Sequence, residues 1–414
     1  MDNADITRRA FLSTAAATAL GLAGCRDGGR VGGSGTAPSG SRAGSVRPGR
    51  RTAAKTKRAR RSVIDETLER MTLDEKVAQL FVVTPEQLTG MDVVTSADDS
   101  TRDALMRYPV GGLCYFGQNI TGADQLRQML RDTRAYGVEA GAGVAPFLTV
   151  DEEGGSLVAR VANSGYYDVQ QFPDMAEIGA AGDASQAANV GRVIGAYLAD
   201  IGFNVDFAPV ADVLTNSANQ VIGARAFSGD ANVVSRMVAA EVPAMLEGGV
   251  LPCLKHFPGH GDTEGDSHTG AVCSMRSRDQ IEGCELVPFR AGIAAGCPLV
   301  MVGHIETPNF ASDGLPASLS KTMMTDVLRD ELGYDGVIVS DSFSMGAITQ
   351  NYTPEDAALR FIRAGGDMIL MTPDFPAAHQ GLISAIENGA FTESRVDQSV
   401  KRILAAKKKL GILS

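Results

Sequence analysis

The chain has 414 residues, of which 44% are hydrophobic and 21% charged, with 47 glycines, no tryptophan and a formal net charge of −11. That is enough apolar chain for one large α/β domain or two ordinary ones, and it excludes a disordered or collagen-like polypeptide. Charge is unevenly spread: of 38 Lys/Arg and 49 Asp/Glu, residues 1–61 hold 13 and 3, leaving 25 against 46 in the remainder, an acidic balance that disfavours a nucleic-acid partner.

Near the start, Thr7-Arg8-Arg9-Ala10-Phe11-Leu12 is a twin-arginine string, and small and apolar residues continue to Leu22. This reads as a signal peptide over residues 1–25, because the apolar run falls short of the ~20 residues that span a bilayer. The run closes on Leu22-Ala23-Gly24-Cys25. That string resembles the lipobox of bacterial lipoproteins and implies lipidation of Cys25, with the protein exported and anchored on the outer face of the cell membrane. Residues 26–61, rich in Gly, Ser, Ala and basic residues without apolar periodicity, are expected to form a disordered tether. The other cysteines, Cys114, Cys253, Cys273, Cys284 and Cys297, contain no C-x-x-C pair. Reduced thiols are therefore expected, and neither a zinc site nor a disulfide framework.

From residue 62 to 414 the pattern changes. Met71-Thr72-Leu73 opens a helix with apolar residues at Leu73, Val77 and Leu80 and Thr72 as its N-cap. Strand-like apolar runs then recur at 79–83, 110–116, 146–150, 203–208, 250–255, 298–303, 336–340 and 367–371. Helical periodicity fills the intervals, as in 187–201, 233–246, 280–295, 321–332, 355–364 and 393–410, several of them followed by Gly. Eight strands alternating with helices, with no dinucleotide-binding fingerprint, predict a single (β/α)8 barrel, with an open doubly wound sheet as the alternative. Several strands end in charged or imidazole residues: Asp151, Asp206 and Asp212, Lys255-His256, His304 and Asp341. One such residue is often a helix cap, but five strands of eight ending this way predict a polar cleft on one face of the barrel.

The densest of these endings is Lys255–His268, KHFPGHGDTEGDSH, which holds three of the five histidines among acidic residues and glycines. It reads as a strand delivering titratable side chains into a site; a polar surface loop or a metal cluster are the alternatives. Spacing alone does not choose between the His260/Asp262 and His268/Asp266 pairs. Asp341, flanked by Ser340 and Ser342, is either a reactive carboxylate at a strand end or the cap of a helix near Phe343.

Taken together, MTLDEKVAQLF at Met71, DEEGG at Asp151, FNVDFAPVADV at Phe203, IGARAF at Ile222, KHFPGHGDTEGDSH at Lys255 and GVIVSDSFSMGAI at Gly336 resemble glycoside hydrolase family 3, specifically its single-domain β-N-acetylhexosaminidases. The resemblance implies Asp341 as nucleophile and His268, oriented by Asp266, as general acid/base on a mobile Gly-rich loop. It further implies Asp151, Arg160, Arg225, Lys255 and His256 as substrate-binding residues, with structural roles for Asp212 and His304. Arg160 stands five places after Gly155, whereas the family pattern puts it four places on, so an extra residue near Ser156-Leu157 has to be accommodated. The implied activity is retaining removal of terminal N-acetylhexosamine from cell-wall or chitin-like glycans. A β-glucosidase, a phosphorolytic enzyme on the same barrel, and a non-catalytic sugar-binding lipoprotein are the alternatives. No cofactor or metal is expected, and the partners expected are a carbohydrate and the membrane, for a monomer.

Overall fold

A computed structural model describes residues 62–413. The twin-arginine string, Cys25 and the basic stretch to Arg61 lie outside the described residues. Eight parallel strands close into a barrel in chain order: β1 (Phe81–Val83), β2 (Gly112–Cys114), β3 (Phe147–Val150), β4 (Val205–Asp206), β5 (Leu251–Phe257), β6 (Leu299–Val302), β7 (Val337–Ser342) and β8 (Met368–Leu370). Closure is made by β1 on β8, with Phe81 opposite Ile369 and Val82 opposite Leu370. All eight fall on the apolar runs seen in the sequence, and their residues are almost entirely buried, as expected for parallel strands covered by helices on the outside and packed side chains within.

Local chemistry sets the helix ends. The Thr72 hydroxyl accepts from the Glu75 amide at 3.2 Å while the Glu75 carboxylate accepts from the Thr72 amide at 2.7 Å, a reciprocal cap that starts helix Leu73–Ala78. Helices Ala184–Ile201 and Ala231–Gly248 pack unusually close, because Gly191 and Gly195 present no side chain there. A Cβ on Gly191 would lie 2.8 Å from the Glu241 carbonyl oxygen.

The expected helix over 280–295 is instead two, Arg278–Gly283 and Leu286–Ala294. Pro288 has no N–H to donate to a preceding turn, so a continuous helix would lose a bond there, and the chain restarts after Glu285. At the N-terminal end of the barrel, Lys407 of helix Glu393–Lys409 is buried, donates to Gln79 Oε1 at 2.7 Å and lies 5.1 Å from the Phe147 ring centre. Burial pushes its ammonium well below the usual lysine range.

The segments after the strands carry the additions that build a site. After β3 a short antiparallel hairpin pairs Glu152–Gly154 with Val158–Ala159 and contains a register irregularity. The segments after β5 and β6 pair with each other in parallel, Val272 with Ile305 and Cys273 with Glu306.

Candidate active site at the C-terminal ends of the strands

A cavity of about 240 Å³ opens where the strands end, in the position where barrel enzymes carry their chemistry. Asp151, Arg160, Arg225, Lys255, His256, His268 and Asp341 all line it, so seven residues spread over nearly 200 positions of sequence converge on one space. Asp266 is joined to it through His268. A larger hollow of about 640 Å³ lies at the opposite end, beside Pro298, Gly336 and Arg402. Its Lys401 and Arg402 are engaged in surface ion pairs with Asp65 and Asp335, so convergence of reactive groups, not volume, marks the site.

The floor of the cavity is a buried charge cluster. Lys255 Nζ contacts Asp151 Oδ1 at 2.8 Å and Glu153 Oε1 at 2.5 Å. Arg225 grips the same Glu153 carboxylate through Nε and Nη2, each at 2.7 Å, and donates Nη1 to the Val221 carbonyl at 3.0 Å. Burial alone would raise the Glu153 pKa, but Lys255 and Arg225 overcome it and hold it at about 2. Likewise burial would strip the proton from Lys255, and Asp151 and Glu153 more than reverse this. Both cations are thus fixed as cations, with their aim set by Glu153, a residue the sequence reading passed over. A lysine at the end of a buried apolar strand demands a counter-charge, and the DEEGG string held one.

The hairpin after β3 sets the position of Arg160. Gly154 and Gly155 adopt φ of 84° and 69°, a left-handed pair that turns the chain back, and Glu152 anchors the return by accepting from the Val161 and Ala162 amides and the Tyr197 hydroxyl. Arg160 reaches the cavity, with its guanidinium 5.5 Å from the Phe116 ring centre and its buried Nε without a hydrogen-bond partner among the described residues.

Three histidines surround the next carboxylate. Asp341, near the end of β7, takes the Ser342 amide on Oδ1 at 2.7 Å. It caps no helix, since the following one begins at Gly346. Burial pushes its pKa up, but the neighbouring His304 and His256 and the Ser342 amide outweigh that and leave it below the usual value, hence ionised at neutral pH. His304 places Nε2 2.8 Å from the Ser342 carbonyl and Nδ1 2.7 Å from the Ser318 hydroxyl. The carbonyl can only accept, so the Nε2 proton is placed there, and His304 braces the strand end that carries Asp341. His256 sets Nδ1 on Asp212 Oδ2 at 2.7 Å, leaving Nε2 for the cavity. Asp206, by contrast, lies fully buried beneath the floor and holds the Glu152 amide at 2.9 Å.

Across the cavity, Asp266 Oδ1 accepts from the His268 amide at 2.9 Å and meets His268 Nδ1 at 2.6 Å. The two side chains are 44% and 64% exposed, in contrast to everything on the floor. His260 separates from this pair. It is buried, bonded to Thr263 and Ser267, and burial with the nearby His256 lowers its pKa. Of the two His/Asp pairs, only Asp266/His268 is directly joined. Among the described residues, no group of three or more His, Cys, Asp or Glu is arranged to hold a metal ion. Met371, whose φ of 49° is the only positive one outside glycine among those residues, also lines the cavity.

The sequence model described as "Glycosyl hydrolase family 3 N terminal domain" matches residues 72–406. The chain belongs to glycosyl hydrolase family 3. It is 33% identical over 341 residues to Beta-hexosaminidase A of Pseudoalteromonas piscicida, covering 77% of this chain and 56% of that one. It is 34% identical to Beta-hexosaminidase LpqI of Mycobacterium bovis, covering 80% and 82%. A solved family 3 β-N-acetylglucosaminidase from Paenibacillus sp. str. FPU-7 superposes with a TM-score of 0.77 at 35% identity, over 83% of this chain and 64% of that one. The chain therefore spans just over half of the Pseudoalteromonas protein and most of the mycobacterial one.

Proposed function

We propose that this family 3 protein is a retaining exo-β-N-acetylhexosaminidase. It acts on terminal N-acetylhexosamine of cell-wall or chitin-like glycans through a glycosyl-aspartate intermediate. The observation that carries the reading is one cavity in which an ionised strand-end carboxylate, Asp341, faces a solvent-reached carboxylate–imidazole pair, Asp266/His268. The β-hexosaminidase names of its relatives support the sugar class.

In this reading the terminal sugar lies over the floor. Asp151 accepts from its hydroxyls, while Lys255, the remaining N–H groups of Arg225, and Arg160 donate to hydroxyl or acetamido oxygens. His256 offers Nε2 to the sugar. An Asp341 oxygen attacks the anomeric carbon as the glycosidic C–O bond breaks, and His268 Nε2 gives its proton to the departing oxygen. Asp266 on Nδ1 stabilises the imidazolium before transfer and holds the ring afterwards. Neutral His268 then removes a proton from water, whose oxygen displaces Asp341 and regenerates the starting state.

The test is turnover of aryl β-N-acetylglucosaminide and aryl β-glucoside, each with and without inorganic phosphate. Free N-acetylglucosamine released from the first, fastest and independent of phosphate, is the expected outcome. Preference for the glucoside, or sugar phosphate as product, would replace the reading with one of its alternatives. Turnover of neither would leave only a binding protein.

The export and anchoring reading belongs to the same proposal and rests on the Arg8-Arg9 string and Cys25. Full-length protein should partition with membranes and Cys25→Ser should appear in the soluble fraction; identical partitioning of the two would remove the anchor.

A further inference from the structure

Between the two exposed members of the acid/base pair sits a residue of opposite character. Ser267 is 1% exposed, and its hydroxyl points inward to His260 Nε2 at 3.1 Å. His260 is itself fixed from two sides: Thr263 Oγ1 lies 2.7 Å from Nδ1 and 2.9 Å from the His260 carbonyl, and Asp212 Oδ1 holds the His260 amide at 2.7 Å. The one Thr263 proton is placed on the carbonyl, which can only accept. The Nδ1 hydrogen then goes to Thr263, and Nε2 accepts from Ser267. Asp212 also holds His256, so a single buried carboxylate ties a cavity-lining imidazole to the segment carrying the proton donor.

The backbone of the segment is fastened from the other side. The amides of Gly346 and Ala347 donate to the carbonyls of His268 at 3.0 Å and Ser267 at 3.2 Å, and Gln350 Nε2 donates to the Thr269 carbonyl at 2.8 Å. These donors belong to the chain that directly follows β7 and Asp341. Contact is so close that a Cβ on Gly346 would stand 2.9 Å from both the His268 oxygen and the Thr269 carbonyl carbon. Two fastenings therefore act on three consecutive residues: one from the Ser267 side chain inward to the His256–Asp212–His260 array, and one on the backbone carbonyls from the helix that follows the carboxylate-bearing strand.

We infer that Ser267, His260 and Gly346 are positioning residues forming a two-point latch, which holds His268 over the cavity in register with Asp341 during proton donation. The inference rests on the acid/base role of His268 in the proposed function. His260 and Ser267 border the same cavity, but their polar atoms are spent on each other and on Thr263, so each of the three acts through the placement of His268 Nε2.

The test uses kcat/KM, which reports the first chemical step, on two aryl β-N-acetylglucosaminides. Phenol is a poor leaving group that needs protonation, and 2,4-dinitrophenol leaves without it. Removing a general acid costs about 10²–10⁴-fold on the poor leaving group. Ser267→Ala and Gly346→Ala are each expected to lose about tenfold on the phenyl substrate, with the dinitrophenyl substrate within about twofold of wild type, as partial misplacement of a general acid requires. Gly346→Ala removes no hydrogen-bonding group and acts by crowding the His268 and Thr269 backbone and the Gln350 side chain that holds it, which keeps the inference testable should Ser267→Ala fold poorly. Equal losses on both substrates, or none on either, would overturn the latch. His268→Ala on the same pair separates this from the underlying reading. If that variant shows no leaving-group dependence, the acid/base assignment fails; if it does and the latch variants do not, only the latch fails.

Discussion

The floor and the loop of this cavity are built on opposite principles. On the floor, Asp151, Glu153, Arg225 and Lys255 interlock below the solvent, with Glu153 held at about pKa 2 by two cations. On the loop, the Asp266 and His268 side chains are 44% and 64% exposed and touch mainly each other. A group that binds the same hydroxyls throughout the reaction gains from fixed charge and fixed aim. A group that must give a proton to a leaving oxygen and take one from water gains from access. The loop is nevertheless not free, since its backbone is bonded to the β7 side and its central serine to His260.

If the division of labour holds, substitutions should separate cleanly by measurement. The largest effect should come from Asp341→Ala, with kcat lower by about 10⁴-fold or more and little change in melting temperature, because the nucleophile is replaced by nothing. His268→Ala should lose about 10²–10⁴-fold on poor leaving groups, again with a near-native melting temperature, since the side chain is mostly exposed.

Floor substitutions should behave in the reverse manner. Glu153→Gln leaves Lys255 and Arg225 sharing one fewer negative charge in a buried site, and should destabilise the fold by about 3–5 kcal/mol in denaturant titration. A stability loss below 1 kcal/mol would mean the cluster is not the rigid base described. The pH dependence of stability carries a related sign. The Glu153 pKa falls from 4.5 unfolded to about 2 folded, so its contribution is fully present above pH 4.5 and fades as pH falls toward 2. The gap between wild type and Glu153→Gln should therefore narrow between pH 5 and pH 2. The smallest effect is expected for Arg160→Ala, which should raise KM by about tenfold with kcat little changed, because Arg160 contributes uniform binding from the rim.

The eight strands were legible because parallel barrel strands are buried on both faces and therefore stand out as continuous apolar runs, each interrupted where the chain reaches the cavity. The helix break at Glu285 was not legible from proline alone, since Pro288 accompanies it whereas Pro243 sits inside the unbroken helix Ala231–Gly248. Individual site residues could be named from their motifs, but their wiring could not. Arg225 and Glu153 lie 72 positions apart and Lys255 and Asp151 104, and nothing local marks an arginine whose partner arrives from another strand. Ser267, between Asp266 and His268, drew no expectation, because a single buried hydroxyl in a polar loop has no periodic signature. The path that brings Arg160 to the cavity, two left-handed glycines and the Glu152 anchor, has no signature in the spacing of the DEEGG string.

The central claim is that Asp341 forms the bond to sugar while the loop only moves protons. Incubation with a slow fluorinated N-acetylglucosaminyl substrate, followed by proteolysis and mass spectrometry, tests it directly. The expected result is one sugar per chain on the peptide containing Asp341, accumulating in wild type and absent in Asp341→Ala. A sugar attached to Asp266, His268 or any floor carboxylate, or steady turnover by Asp341→Ala, would contradict it.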